Sequence, residues 1–169
     1  YMFSEVIGRL YKNHVVIGNG SFGKVFSAQR VTDSKTVAVK EVDTTGAGLA
    51  ERMIILSEYT YYPNIVDPNV VTCYTTHFDE TSGQLYIEME YCPGGSLLDL
   101  IKSQRVKKQP LPERDVWQIF KGLASALVYL HSSEKKPSVG AIIHRDIKPA
   151  NIVFSKDGVA NICDLGLSR

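Results

Sequence analysis

An α+β fold in two lobes, strands first and helices after, is what this 169-residue sequence predicts. Three observations carry that reading. Short β-branched runs, punctuated by glycine or polar turns, fill the first half. After Pro93-Gly94-Gly95 the hydrophobic period switches from two to three and four. The longest amphipathic pattern, residues 112–132, lies in the second half.

The elements follow in order. His14-Val15-Val16-Ile17 runs into glycines, and residues 24–29 and 36–42 are separated by the turn Thr32-Asp33-Ser34-Lys35. This predicts three antiparallel strands joined by hairpins. Leu49, Met53, Ile54, Leu56 and Tyr61 give residues 48–61 a helical pattern, which Pro63 and Pro68 end. Residues 72–78 and 84–89 read as two more strands around the turn Glu80-Thr81-Ser82-Gly83. Ser96 is placed to cap a helix through Leu97, Leu100 and Ile101, and Asp99 suits its positive end. Residues 107–112 form a basic loop bounded by prolines. In the next helix Pro112 suits the first turn, and Val116, Ile119, Phe120, Leu123, Leu127 and Leu130 share one face. Residues 132–140 are a polar loop, and the chain from Ile142 is irregular with short strands.

Composition removes several function classes. Hydrophobic residues make up 44%, enough for a core, and 19 Lys+Arg against 18 Asp+Glu leave a net charge of +1. A polybasic nucleic-acid binder is excluded, so phosphate-binding charge must be local. No window is long and apolar enough for a membrane span, so neither nucleic acid nor membrane is an expected partner. Tyr1-Met2-Phe3-Ser4-Glu5 lacks the layout of a secretory signal. The three cysteines, Cys73, Cys92 and Cys163, are odd in number and widely spaced. They make neither a disulfide scaffold nor a zinc site, and point to a reducing, intracellular setting.

Chemistry concentrates in four places. Residues 17–25 read I-G-N-G-S-F-G-K-V, where Gly18, Gly20 and Gly23 let backbone N–H groups approach phosphates. By itself this is weak, since glycine-rich hairpins are common. The glycines join two strands, which excludes a dinucleotide-binding βαβ unit, and no P-loop is present. Lys40 ends the apolar strand Val37-Ala38-Val39. A snorkelling lysine is the ordinary explanation, and a cation over nucleotide phosphates is the functional one. The latter needs a carboxylate, which Glu58 in the predicted helix can supply. His144-Arg145-Asp146-Ile147-Lys148-Pro149-Ala150-Asn151 is far more telling, because it makes neither a core nor an ordinary loop. Asp146 can accept a hydroxyl proton, Lys148 can neutralise a phosphate, and Asn151 can offer an oxygen to a metal. Asp164, in Cys163-Asp164-Leu165-Gly166, is a hard-oxygen ligand suited to Mg²⁺.

Taken together, in order and spacing, these residues resemble the protein-kinase set over nearly the whole chain, from about residue 17 to 169. The resemblance implies a five-stranded antiparallel sheet with one helix over residues 1–89, a hinge at 90–95, and an incomplete helical lobe over 96–169. It implies ATP and Mg²⁺ as cofactors and protein serine or threonine hydroxyls as substrates. Gly18, Gly20 and Gly23 would cover the phosphates, and Lys40 would pair with Glu58. Asp146 would be the base, assisted by Lys148, and Asn151 and Asp164 would hold Mg²⁺. Ile17, Val25, Ala38 and Val153 would sandwich adenine, with Met89 as gatekeeper and Glu90 to Cys92 as hinge. Residues 85–97 (L-Y-I-E-M-E-Y-C-P-G-G-S-L), together with the 144–151 loop, are most similar to the NIMA-related (Nek) kinases. That finer likeness implies a cytoplasmic protein with cytoskeletal, centrosomal or scaffold partners.

Three departures and one competing reading accompany the resemblance. Leu165 stands where phenylalanine is commoner, and Pro63 lies close behind Glu58. The chain stops at Arg169, before an activation loop. The expectation is therefore a fragment that is inactive alone, with Val116, Phe120, Leu123 and Leu127 left uncovered. The competing reading is a pseudokinase or nucleotide-binding scaffold. It is weakened because Lys40, Glu58, Asp146, Asn151 and Asp164 are all present.

Overall fold

The computed structural model describes residues 5–20, 23–60, 62–132 and 140–165. These divide into two compact units, residues 1–65 with 72–91 and residues 66–71 with 92–169.

The first unit is a five-stranded antiparallel sheet with two helices. The strands are β1 (Tyr11–Gly20), β2 (Gly23–Arg30), β3 (Thr36–Asp43), β4 (Cys73–Asp79) and β5 (Gln84–Glu90), in the order β1-β2-β3-β5-β4. The sheet and its following helix are those the resemblance implied. β3 is buried on both faces, and its alternation sorts the sheet into two sides. Val42, Leu85, Ile87 and Cys73 pack on one side against Ile55, Leu56 and Tyr59 of helix α2 (Leu49–Thr60). Phe26, Ala28, Val37, Val39 and Tyr86 fill the other.

That second side is covered by an element not foreseen from sequence, helix α1 (Glu5–Leu10). Six residues are too few for a stable helix in water, so tertiary packing must hold it. Ile7 supplies that packing, fully buried against the sheet, and the Leu10 carbonyl accepts from Val31 N–H at 2.9 Å. Ile7→Ala is expected to destabilise the unit by about 2–5 kcal/mol. An unchanged urea midpoint would show that the helix adds nothing to the sheet.

The same side holds a buried ion pair. Arg30 on β2 grips Glu88 on β5 through Nε to Oε2 (3.2 Å) and Nη2 to Oε1 (2.5 Å). Glu88 is only 3% exposed. Arg30 also pairs with Asp33 at 2.7 Å and stacks over Tyr74. Burial, with the Glu88 carboxylate nearby, pushes the Tyr11 phenol well above its ordinary range.

The second unit is built on helices α3 (Leu97–Lys107) and α4 (Glu113–His131) and the hairpin β6 (Ile152–Phe154) with β7 (Ala160–Ile162). The Ser96 cap forms a complete capping box. Its hydroxyl oxygen accepts from Asp99 N–H (3.1 Å), and Asp99 Oδ2 accepts from Ser96 N–H (3.1 Å). The Ser96 hydroxyl also donates to Asp99 Oδ2, and this bond, with that from Ser96 N–H, holds the Asp99 carboxyl below the usual carboxylate range. In α4 the predicted face needs correction. Pro112 is the N-cap rather than a first-turn residue, and Phe120 is 61% exposed. Leu123 is not uncovered, because with Ile119 it packs on Ile152, Phe154 and Ala160. The fully buried positions are Ala126 and Leu130, so the buried stripe is rotated toward the hairpin. No helix among the described residues is long and apolar enough to cross a membrane.

Candidate active site

In the first unit the register collects the predicted nucleotide residues on one side of the sheet. Gly18 pairs with Val25, Val25 with Lys40, and Ala38 with Met89. Ala38 and Lys40 alternate with Val37 and Val39, which are buried on the opposite side of the sheet, so Val25, Ala38, Lys40 and Met89 share a face. Ile17 lies in the bulge between Val16 and Gly18 and is half exposed. Lys40 is buried, with 6% exposure. Its expected pairing with Glu58 falls on a side chain outside those described.

The glycines of the motif separate into two kinds. Gly23 has φ +128°, and a Cβ there would sit 1.8 Å from the Glu41 carbonyl oxygen, so the hairpin itself demands glycine. Gly18 is different, because a Cβ there would meet Val25 only at an ordinary 3.6 Å. Nothing within the fold requires Gly18 to lack a side chain.

In the second unit the 144–151 loop is tied into a compact hydrogen-bonded group. Lys148 Nζ donates to Asp146 Oδ2 at 2.7 Å. Asn151 Nδ2 donates to the same oxygen at 2.8 Å and to the Asp146 carbonyl at 2.9 Å. The Lys148 hydrogen bond, helped by Asn151, holds the Asp146 carboxyl below the usual carboxylate range. Asp146 is thus an ionised, oriented acceptor that remains partly open to solvent. Both Asn151 donations use the amide nitrogen, which leaves the side-chain oxygen able to bind a cation.

His144 received no role from sequence and is the residue that reasoning missed. It is 1% exposed. Its Nδ1 accepts from Asp146 N–H at 3.2 Å, which places the ring proton on Nε2, and Nε2 donates to the Cys163 carbonyl at 2.9 Å. A parallel link joins Cys163 N–H to the Asn151 carbonyl at 3.0 Å. These two contacts hold Asp164 one residue from a segment bound to the Asp146 loop. Only its place as the first residue of His144-Arg145-Asp146 could have signalled this. Arg145 and Asp164 both take φ 62°, a region non-glycine residues rarely occupy and which collects at functional sites.

The donor set fits Mg²⁺. Among the described residues no group of three or more His, Cys, Asp or Glu forms a metal cage. One carboxylate and one amide oxygen make a poor cage but suit an ion that takes its remaining oxygens from phosphates and water. Val153 lies in β6, and its neighbours Ile152 and Phe154 are buried under α3 and α4.

Comparison with known proteins agrees with this geometry. A family model described as the protein kinase domain matches residues 11–169. The serine/threonine-protein kinase ppk11 of Schizosaccharomyces pombe is 37% identical over 94% of this chain and 46% of its own length. The human serine/threonine-protein kinase Nek2 is 33% identical over 94% of this chain and 35% of its own. The G2-specific protein kinase nimA of Emericella nidulans is 30% identical over 90% of this chain and 25% of its own. The chain thus spans less than half the length of these relatives. With its five-stranded sheet, its 144–151 loop and a match over residues 11–169, it belongs to the protein kinase domain family and resembles the NIMA-related branch.

Proposed function

We propose that the intact protein transfers the γ-phosphoryl group of ATP to serine or threonine hydroxyls of protein substrates. The observation that carries this reading is the Asp146 carboxylate, ionised and held by Lys148 and Asn151 in a partly open loop. Asp146 accepts the proton of the attacking hydroxyl at its carboxylate oxygen. Lys148, beside that oxygen, neutralises charge on the phosphoryl group. Bound Mg²⁺ would supply further charge neutralisation on the phosphates, with Asn151 and Asp164 holding it. Gly18, Gly20 and Gly23 admit the phosphates to the backbone, and Lys40, steadied by Glu58, binds them. Ile17, Val25, Ala38 and Val153 exclude water from the adenine, Met89 limits its depth, and the hinge from Glu90 to Cys92 recognises its edge. Residues 1–89 and 96–169 act as the two lobes of this machinery, joined by 90–95. Extended along the NIMA-related resemblance, the proposal is of a cytoplasmic kinase with cytoskeletal, centrosomal or scaffold partners.

The test is transfer of labelled phosphate from Mg²⁺-ATP to a generic serine/threonine protein substrate, with Asp146→Asn and Asp164→Ala beside the parent. Transfer lost in both variants supports the assignment. A folded protein that binds ATP but transfers nothing would move the reading to a scaffold.

A pH prediction follows from Asp146. A carboxyl with a lowered folded pKa favours the ionised form, so that stabilisation is present above the ordinary carboxylate pKa. It is lost as pH falls through the lowered value. The acid limb of kcat/KM due to Asp146 should therefore lie below the ordinary carboxylate range. Lys148→Ala removes the main cause of the lowering and should move that limb upward. An acid limb in the same place in both proteins would contradict the role given to Lys148.

A further inference from the structure

On the outer side of the first unit's sheet, one tyrosine hydroxyl faces a cation that has no counterion. Tyr74 lies on β4, an edge strand, and is partly exposed. The strand is irregular there. Cys73 pairs with Met89 and Thr75 with Glu88, so Tyr74 is the extra residue of a β-bulge. A bulged residue has no ladder partner, and an edge segment around it opens more readily than a central strand. Lys35 Nζ donates to the Tyr74 hydroxyl at 2.8 Å and stands 4.4 Å from the ring centroid. Lys35 is exposed, but its backbone is fixed by a closed turn. Its N–H donates to Asp33 Oδ1 at 3.0 Å, and its carbonyl accepts from Arg30 N–H at 2.9 Å. The Lys35 ammonium makes an ion pair with none of the described residues. Arg30 is a second cation at the same ring, 5.3 Å from its centroid. Its Nη1 is held only by the exposed Asp33 carboxylate, whereas Nε and Nη2 are fixed on Glu88.

We infer that Tyr74 is a phosphorylation site for a separate tyrosine kinase. In that step Tyr74 Oη attacks the γ-phosphorus of ATP held by the modifying enzyme. The new O–P bond forms as the bond from that phosphorus to the β,γ-bridging oxygen breaks. ADP leaves, and the phenolic proton passes to a base of the modifying enzyme. The phosphate then meets the neighbour that the phenol already has. Lys35 changes from donor to a neutral hydroxyl into counterion of a phosphate, and such a charge-assisted bond is about twice as strong. Arg30 can exchange Asp33 for a phosphate oxygen through Nη1 and keep its grip on Glu88. Tyr11, Tyr59 and Tyr86 are buried, so the folded chain does not offer them in the same way.

The test incubates the full chain with Mg²⁺-ATP and a purified tyrosine kinase of broad specificity. Tandem mass spectrometry maps phosphotyrosine, and a tyrosine phosphatase is then used to time removal of the phosphate. Phosphate on Tyr74 is expected, and none at that position in Tyr74→Phe. In Lys35→Ala the same phosphate should be removed at least about three-fold faster, because its counterion is gone. Lys12→Ala, which removes an exposed charge on β1, should leave that rate unchanged. No phosphate on Tyr74, while a free control peptide is modified, would overturn the inference. So would equal phosphatase rates with and without Lys35, or equal labelling of Tyr74 when the tyrosine kinase is omitted. Neither readout depends on phosphoryl transfer by this chain, so the inference stands or falls apart from the function proposed above.

Discussion

Asp146→Asn is expected to lower kcat for phosphoryl transfer by about 10²–10⁴-fold, with nucleotide affinity little changed. The substitution nearly preserves shape but removes the group able to take the hydroxyl proton. It also inverts local hydrogen bonding. Asp146 Oδ2 now accepts from both Lys148 Nζ and Asn151 Nδ2. An asparagine either turns its own NH₂ toward those donors, or presents one neutral oxygen to two groups that formerly shared an anion. Lys148 then has no counter-charge in the loop and is less well placed over a phosphoryl group. Steady-state kinetics and nucleotide titration on the same preparation separate the effects. A kcat within about three-fold of the parent would exclude Asp146 as the base.

Arg30→Ala should have the largest effect on stability, about 3–5 kcal/mol in the first unit. The alanine leaves Glu88, 3% exposed, as a buried carboxylate without its counterion. It also removes the cation stacked over Tyr74 and the partner of Asp33. The cost belongs to the stranded charge more than to the lost attraction, and this suggests the control. Arg30→Met combined with Glu88→Leu removes both charges and should recover most of the loss. Urea unfolding of the two variants decides the matter. Equal destabilisation by the single and double substitutions would mean that Arg30 matters only as packing. Cys73, across the sheet, should stay unreactive in the parent at neutral pH. Burial, with the Glu88 charge adding to it, pushes its thiol up to about 12.

What was legible in the sequence follows from which forces act locally. The Ser96 cap with Asp99 in the first turn, the turn at residues 32–35 and the β-branched strand at 36–42 depend on neighbours, and each formed where expected. The 144–151 loop was legible because its residue types make no sense as packing. Helix α1 was not, because its six residues carry no period and Ile7 owes its burial to a sheet formed later in the chain. The stripe on α4 was misplaced because periodicity marks an apolar arc without showing which part a neighbour will cover. Here the β6–β7 hairpin takes Ile119 and Leu123 and leaves Phe120 exposed. The Arg30–Glu88 pair spans 58 residues and exists only through the strand order. His144 was visible as a letter of the motif, but its purpose lies in a carbonyl 19 residues away.

That last contact has a mechanical consequence. Through His144, the backbone that carries the proton acceptor and the backbone that carries the Asp164 carboxylate are clamped to a common ring. When thermal motion displaces this region, the two carboxylates are carried in the same direction, so errors in their positions are correlated. Their separation is thereby better preserved than the position of either one.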